Sequence, residues 1–404
     1  MSTTLAPSPI DSPAAWRRLV ISLAVGSVGC VGFWSYVVAL PAVQADFGVT
    51  RGEASLPYTL VMVGFAFGGL VMGWVTDRFG VFAALVGGAA LMALAYGLSG
   101  ISTGIVSFAL AQALLGIGCS ACFSPLMADI SHWFERRRGL AVTLVSSGNY
   151  VAGAVWPPVI QYVIETSGWR AAHFGLGVLC IAVVLPLAFL LKTRPPAGAT
   201  SKGAPKPLQG IIDIPPRALL TLIAVAGFAC CMAMAMPQVH LVAYCADLGY
   251  GPAQGAQMLS LMLTLGIASR IISGLVCDRI GGLMTLLIGS AAQGLALLLY
   301  MFFDGLTSLY LISALFGLFQ GGIIPMYAII VREYFPAGKA GANLGLIIMA
   351  TLLGMAVGGW LSGVIFDWTG SYRAAFFNGV LWNLVNLAVV ALIIWRRRPA
   401  PALA

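Results

Sequence analysis

The sequence predicts an all-α membrane protein with twelve transmembrane helices in two six-helix bundles. Three observations support this prediction: the composition, the length of the apolar runs and an internal repeat. Of the 404 residues, 60% are hydrophobic and only 8% are charged, whereas soluble domains carry about 25% charged residues. So few charges cannot cover a surface that faces water, and we therefore expect most of the chain to face lipid.

Apolar runs of about 20 residues are long enough to cross a bilayer as helices. The sequence contains twelve of them, near 19–43, 56–76, 82–100, 105–128, 139–163, 173–191, 218–244, 256–277, 283–303, 306–330, 341–366 and 374–395. Their length excludes a membrane β-barrel, because a barrel strand needs only about ten alternating residues.

The distribution of Lys and Arg predicts the orientation of the chain. Of the 21 basic residues, 17 lie at the termini or in every second loop. Three of the others, Arg51, Arg170 and Arg373, lie in the opposite loops. Cytoplasmic loops are enriched in Lys and Arg. We therefore expect a multi-pass protein of the inner (plasma) membrane with both termini in the cytoplasm.

The two halves of the chain repeat each other. GWVTDRFG at 73–80 matches GLVCDRIG at 274–281, and GWRAAHF at 168–174 matches SYRAAFF at 371–377. A segment rich in proline, 192–217, separates the halves and reads as a linker. The sequence thus predicts an N-terminal bundle (1–191), a cytoplasmic linker (192–217) and a C-terminal bundle (218–404). Parallel repeats of this kind place a ligand site at their interface, near the middle of the membrane.

Arg270 is the only charge deep inside a predicted span. Eight residues separate it from Asp278, or about 12 Å of helix, which places it near the bilayer centre. An arginine there costs at least ~2.5 kcal/mol on insertion scales, and Gly266 and Gly274 stand one turn to either side of it. It is either a structural arginine held by carbonyls and water or a cation for an anionic substrate. We favour the second, because arginine holds a carboxylate through two parallel hydrogen bonds.

Other polar residues interrupt apolar helix faces. Asn149 and Tyr150 could contact substrate or join neighbouring helices, and Tyr36 could line a cavity or lie at the lipid interface. His240 is a candidate proton carrier, because histidine titrates near physiological pH; the alternative is a hydrogen-bonded packing residue.

Charged residues cluster where the second and eighth predicted helices end: Asp77, Arg78, Asp278 and Arg279. These carboxylates can accept hydrogen bonds from the N-termini of facing helices, and the arginines at 136–138, Arg137 among them, can pair with Asp129 or Glu135. We interpret the cluster, with Arg137, as a latch that closes the cytoplasmic side. The alternative is ordinary loop charge that sets the topology.

The repeated Gly-xxx-Asp-Arg-x-Gly loop, with its 6+6 layout, resembles the signature of the major facilitator superfamily. The segment ALPAVQADFGVTRGEAS at 39–55 and Arg270 resemble the monocarboxylate transporter and oxalate–formate antiporter branch. The resemblance implies that Arg270 clamps a carboxylate. It also implies that Phe123 and Tyr327 line the cavity, where the antiporters have tyrosines.

Two departures from that branch sharpen the expectation. The eleventh predicted helix (341–366) is uncharged, whereas oxalate-type members carry a lysine there, so a monocarboxylate is preferred over a dicarboxylate. Many monocarboxylate transporters carry an acid one turn before the arginine, where this chain has Gly266. The residue that carries a coupled proton must then lie elsewhere.

We therefore predict a secondary active transporter of small organic anions, working by alternating access as a monomer, with proton symport as the default energy source. The alternative on the same fold is an exporter of drugs or other metabolites, which would be expected to need acids inside the membrane. A different class of protein, a membrane enzyme or a non-transporting receptor, is the second alternative. An enzyme is not expected, because the three histidines (132, 173 and 240) form no catalytic cluster. No cofactor, metal or nucleic acid is expected; Cys119 and Cys122 form a CxxC inside an apolar helix, which we interpret as packing.

Overall fold

The computed structural model describes residues 10–193 and 211–398. Most of the predicted linker, residues 194–210, therefore lies outside the described residues. Long apolar helices dominate the described part of the chain. In order they are α1 (Pro13–Phe47), α2 (Arg51–Phe79), α3 (Val81–Ile101), α4 (Ile105–Ser131), α5 and α6 (together Arg138–Leu190), α7 (Pro216–Asp247), α8 (Pro252–Ile280), α9 (Gly282–Phe302), α10 (Leu306–Tyr334), α11 (Ala337–Thr369) and α12 (Tyr372–Trp395).

Eleven helical elements in the described residues are long and apolar enough to cross a membrane, and the 53-residue α5–α6 element contains two crossings. At 1.5 Å per residue it would be about 80 Å long, more than twice the ~30 Å of a hydrocarbon core. Gly168 breaks it with φ 86° and ψ 159°, which divides it into α5 (138–167) and α6 (169–190). Next to the turn, Arg170 Nη1 donates to Asp46 Oδ2 at 2.7 Å. The all-α fold with twelve crossings is confirmed in this form.

The internal repeat is present in the backbone. Gly80 and Gly281, 201 residues apart, end α2 and α8 with φ values of 89° and 83°, where residues other than glycine are strained. The packing between helices repeats at the same offset. A side chain at Gly116 would strike the Val61 carbonyl, and one at Gly317 would strike the Met262 carbonyl. The α2–α4 contact is therefore the counterpart of the α8–α10 contact.

Four helices are interrupted inside their spans. The breaks lie at Cys30 in α1, at 121–123 in α4, at Ser147 in α5 and at Gly321–Gly322 in α10. Interrupted helices free backbone groups at membrane depth and are typical of transporter binding sites. Two of these breaks, in α5 and α10, flank the residues that surround Arg270.

The two halves meet at one end and separate at the other. At the end that carries Arg51, Thr59 Oγ1 of α2 donates to the Ala356 carbonyl of α11 at 2.9 Å, and Gly363 lies against Ser55. At the end that carries Asp77, a side chain added at Gly73, Gly274, Gly341 or Gly345 would meet open space. We call these the Arg51 end and the Asp77 end.

A buried ion pair corrects one prediction at the Asp77 end. Arg18 Nε donates to Asp129 Oδ2 at 2.6 Å and Nη2 donates to Oδ1 at 2.9 Å, and both side chains are almost fully buried. The predicted pairing of Arg137 with Asp129 is therefore wrong, because Arg18 of α1 occupies the carboxylate. Arg137 is exposed, and its guanidinium carbon lies 6.0 Å from the Trp16 ring centroid.

The described residues also include a short two-stranded pairing. Ile211–Ile212 (β1) pairs antiparallel with Arg397–Arg398 (β2), which ties the start of the C-terminal half to the segment that follows α12.

Candidate functional site around Arg270

Arg270 lies on α8 and faces the N-terminal half. Its side chain is buried, with the residue 8% exposed. Nη1 donates to Ser146 Oγ at 3.1 Å, and the guanidinium carbon lies 4.1 Å from the Tyr150 ring centroid. Both partners belong to α5. Nε is buried without a hydrogen-bond partner, and no acid among the described residues pairs with this arginine. The site is therefore a buried cation with unused donors.

Helix breaks bring the polar neighbours of Arg270 together. Ser146 comes directly before the break in α5 at Ser147. Gln320 comes directly before the break in α10, and its Oε1 accepts a hydrogen bond from the Tyr150 hydroxyl at 3.4 Å. Gln320 is fully buried, and its Nε2 has no partner in the described structure. Ser146 and Gln320 were not predicted from the sequence, although the adjacent Gly321–Gly322 pair was a visible signal for a break in α10.

Gly266, one turn before Arg270, makes room for Tyr150. A Cβ at this position would overlap the Tyr150 ring atoms Cδ1 and Cε1. The place where many monocarboxylate transporters carry an acid is therefore filled here by an aromatic ring. An acidic side chain at position 266 would require Tyr150 to move.

Asn149 and Phe123 make their contacts within the N-terminal half. Trp34 Nε1 donates to both the carbonyl and Oδ1 of Asn149, at 3.0 and 3.1 Å. Phe123 lies at the break in α4, half-buried, with its ring centroid 5.7 Å from that of Phe65. Neither residue makes a hydrogen bond or ring contact with Arg270 in the described structure.

The hydroxyls of Tyr36 and Tyr327 are used inside their own halves. Both residues are fully buried. Tyr36 donates to the Ala54 carbonyl, and Tyr327 donates to Asn386 Oδ1 at 3.5 Å. Of the six residues predicted to bind substrate, the structure brings Tyr150 together with Arg270, and it does not bring these two tyrosines to it.

Arg51 joins the two halves at the Arg51 end, and its role was not foreseen from the sequence. Nη2 lies 3.1 Å from Asp247 Oδ2, and Nη1 donates to the Tyr372 hydroxyl. The backbone N–H groups of Arg51 and Gly52 donate to the Asp367 carboxylate at 2.8 and 2.7 Å. Asp367 thus caps the N-terminus of α2 from the opposite half, where a negative charge is favoured by the helix dipole.

His240 lies in the same region as this network. It is fully buried, Nε2–H donates to the Gly359 carbonyl at 2.8 Å in the tautomer that this contact requires, and Nδ1 has no partner in the described structure. Its ring centroid lies 5.8 Å from that of Tyr372, which in turn bonds Arg51. The candidate proton carrier therefore lies next to the residues that join the halves. It makes no hydrogen bond or ring contact with Arg270 in the described structure.

The predicted latch residues at the Asp77 end are unpaired. Asp77, Arg78, Asp278 and Arg279 are exposed or half-buried, and none forms an ion pair within the described residues. The Arg78 guanidinium lies over the Trp74 ring of its own helix, 5.8 Å from the centroid. A latch at this end would have to form in a different conformation, one with the Asp77 end closed.

Comparison with known proteins places this architecture in a family. The Major Facilitator Superfamily profile matches residues 23–312 and 274–404. Monocarboxylate transporter 13 of Bos taurus is 30% identical over 85% of this chain and 86% of its own length. Agnestins efflux protein AgnL12 of Paecilomyces divaricatus is 23% identical over 79% of this chain and 73% of its own.

A solved structure agrees at the level of the fold. The crystal structure of a bacterial homolog of the human lysosomal transporter Spinster, in an inward-facing and occupied conformation, superimposes with a TM-score of 0.74 over 97% of this chain and 100% of that chain, at 14% identity. The repeated six-helix halves, the paired glycine loops and the profile match over nearly the whole length lead to one conclusion: this chain belongs to the Major Facilitator Superfamily of membrane transporters.

Proposed function

We propose that the protein is a secondary active transporter of small organic anions, specifically monocarboxylates. One observation carries the proposal: Arg270 is buried between the halves with a free Nε and no acidic partner in the described residues. A buried charge without a partner is strongly unfavourable, and a carboxylate that arrives from solution would supply the missing acceptor. A single clamp charge suits a single carboxylate.

Transport would proceed by alternating access around Arg270. In this proposal the Asp77 end is cytoplasmic and the structure is the inward-facing state, because the halves are joined at the Arg51 end. The concentration of basic residues on that side supports this orientation, with both termini in the cytoplasm and the inner (plasma) membrane as the location. The latch of Asp77, Arg78, Asp278, Arg279 and Arg137 would close when the Arg51 network opens. The transporter would work as a monomer, since each chain supplies both halves of the site.

Proton symport is the proposed energy source, with His240 as the carrier. On the helix that carries Arg270, this chain has Gly266 where many monocarboxylate transporters carry an acid. The Tyr150 ring fills that space. His240 is a buried histidine whose ring lies against Tyr372, and Tyr372 in turn bonds Arg51. Gain or loss of a proton there would act on the residues that close the Arg51 end.

The second candidate is export of drugs or other metabolites. The similarity to a protein named as an efflux protein favours it. The deep charge of the site argues against cationic drugs, because Arg270 would repel them. An exported organic acid would be consistent both with Arg270 and with the similarity to an efflux protein. The charge of the substrate therefore distinguishes the two candidates better than the direction of transport does.

The test is uptake by purified protein in proteoliposomes, with Arg270→Lys and Arg270→Gln variants. Both should lose carboxylate transport by at least about 100-fold, since lysine cannot reproduce the two-pronged hydrogen bonding of a guanidinium. Equal yield and an unchanged elution profile would show intact folding. Full uptake by either variant would refute the clamp. Uptake of an organic cation with no uptake of carboxylates would favour the exporter.

A further inference from the structure

Tyr150 belongs to the N-terminal half, but its polar and cation contacts lie in the C-terminal half. Its ring covers the Arg270 guanidinium at 4.1 Å, and its hydroxyl donates to Gln320 Oε1 at 3.4 Å. The residue itself is only 5% exposed. The ring is therefore held at two points, by a cation on its face and by an amide at its hydroxyl.

The ring covers the arginine without using its donors. A guanidinium carries its five N–H groups in its own plane, whereas a cation–π contact uses the face. With Tyr150 on the face and Nη1 bonded to Ser146, the Nε donor has no partner in the described structure. A carboxylate binds such an in-plane edge by two parallel hydrogen bonds.

Gln320 is fixed in place by the docking of α10 onto α8. Gly322 N–H donates to Ser269 Oγ at 3.0 Å, and Gly321 lies directly against the Gly266 backbone. Both α8 residues precede Arg270 in the sequence: Ser269 directly, and Gly266 by one helical turn. The break in α10 therefore holds the Gln320 backbone at a defined point, and the side-chain oxygen Oε1 of Gln320 accepts the hydrogen bond from the Tyr150 hydroxyl.

From these contacts we propose that Gln320 is a positioning residue for the substrate site. It acts through the Tyr150 hydroxyl, which keeps the aromatic ring on the face of Arg270 and leaves the in-plane donors open to the anion. This inference rests on the proposed function of Arg270 as a carboxylate clamp. It predicts a change in apparent affinity with little change in the maximal transport rate.

A double-mutant cycle tests this role. Gln320→Met keeps the side-chain size and removes the acceptor, and Tyr150→Phe keeps the ring and removes the donor. Each should raise the KM for the transported acid about 2- to 10-fold, the equivalent of one net hydrogen bond, with the maximal rate within about twofold of wild type. The double variant should show no larger effect than either single one, because both remove the same bond.

Gln112→Met is the matched control. Gln112 is also fully buried and bonds the Ser99 hydroxyl at 2.9 Å, but it lies between α4 and α3 of the N-terminal half. This substitution should lower thermal stability to a similar degree without changing KM. Formate, pyruvate and benzoate serve as probes, assayed for stabilisation of the purified protein and then for uptake.

The outcomes separate the two proposals. If the wild type binds none of the three acids, the clamp fails and the positioning role fails with it. If the wild type binds but Gln320→Met and Tyr150→Phe behave like it, or if their effects add in the double variant, the positioning role is overturned and the clamp stands. If Gln320→Met does not fold, Tyr150→Phe decides alone, and an unchanged KM overturns the proposal.

Discussion

Arg51 and Arg270 are both buried arginines that bridge the two halves, yet their surroundings differ in kind. Arg51 meets an aspartate and a tyrosine hydroxyl with its side chain, and its backbone N–H meets a second aspartate. Arg270 meets a serine hydroxyl and an aromatic face, and no acid among the described residues pairs with it. Nε is buried without a hydrogen-bond partner in both arginines, so the acidic partner is what distinguishes them.

The contrast distinguishes a structural cation from one that is suited to bind a ligand. The charge of Arg51 is balanced within the protein, so the network is suited to hold the halves together. Arg18 follows the same rule, with Asp129 as its partner. The charge of Arg270 is not balanced in the described residues, and removing a charge from water without a partner is costly. An arginine of this second kind is suited to an anion that comes and goes.

Arg51→Gln should produce the largest shift in the conformational equilibrium. It removes the bonds to Asp247 and Tyr372 that join the halves, and we expect the Arg51 end to open more often by about 5- to 150-fold, the range of typical coupling free energies of about 1–3 kcal/mol. Labelling of a Ser55→Cys reporter, buried between α2 and α11 in the wild type, measures this opening.

The control for Arg51 is Arg170→Gln. Arg170 also pairs with an aspartate at this end, but Asp46 belongs to the same half and both side chains are about 40% exposed, at 42% and 39%. Exposed pairs contribute little, and this one does not join the halves. Equal labelling rates in the two variants would contradict the assignment of Arg51 as the closing residue.

Asp77→Asn and Asp278→Asn should have a smaller effect, and only on transport. Neither carboxylate forms an ion pair with a described residue, so the thermal stability of this conformation should stay unchanged. If the latch forms when the Asp77 end closes, its loss should slow transport by about 5- to 30-fold, or about 1–2 kcal/mol, because exposed carboxylates gain less from a charged partner than buried ones do. Glu135→Gln, an exposed acid at the same end, is the control. Unchanged transport in both aspartate variants would contradict the latch and mean that the charges of Asp77 and Asp278 only set the topology of the chain.

His240→Gln should have the mildest effect. Glutamine can still donate to the Gly359 carbonyl but cannot take up a proton. Uptake in the absence of a pH gradient should then fall no more than about twofold, while the stimulation by an outside-acid gradient should disappear. Persistent stimulation in this variant would assign proton coupling to another group or remove it altogether.

Much of the fold could be predicted from the sequence because the backbone hydrogen bonds of a membrane helix join residues that are close together in the chain. Run length and composition predicted the crossings, including the separate runs 139–163 and 173–191, which meet at the turn of Gly168. The repeat offset of 201 residues predicted the matching turns at Gly80 and Gly281. Arg270 and Tyr150 could be proposed for the site because a charge and a phenol inside apolar helices are conspicuous in the sequence alone.

The contacts that the sequence did not predict all join distant segments. Arg18 and Asp129 are 111 residues apart, and Arg51 and Tyr372 are 321 residues apart. Burial of Arg51 could not be read from its loop position, because its partners come from α7, α11 and α12. Gln320 looked like an ordinary polar residue in α10, and only the docking of the α10 break onto α8 shows what its amide contacts.

The most direct measurement is the binding of formate, pyruvate and benzoate to purified wild-type protein and to the Arg270→Gln variant, by calorimetric titration. We expect the wild type to bind at least one of these acids. We expect the variant to remain folded and to bind that acid at least about 100-fold more weakly, because it has lost the charge-assisted pair of hydrogen bonds. Equal affinity in the two proteins would contradict the account of Arg270 as the anion clamp.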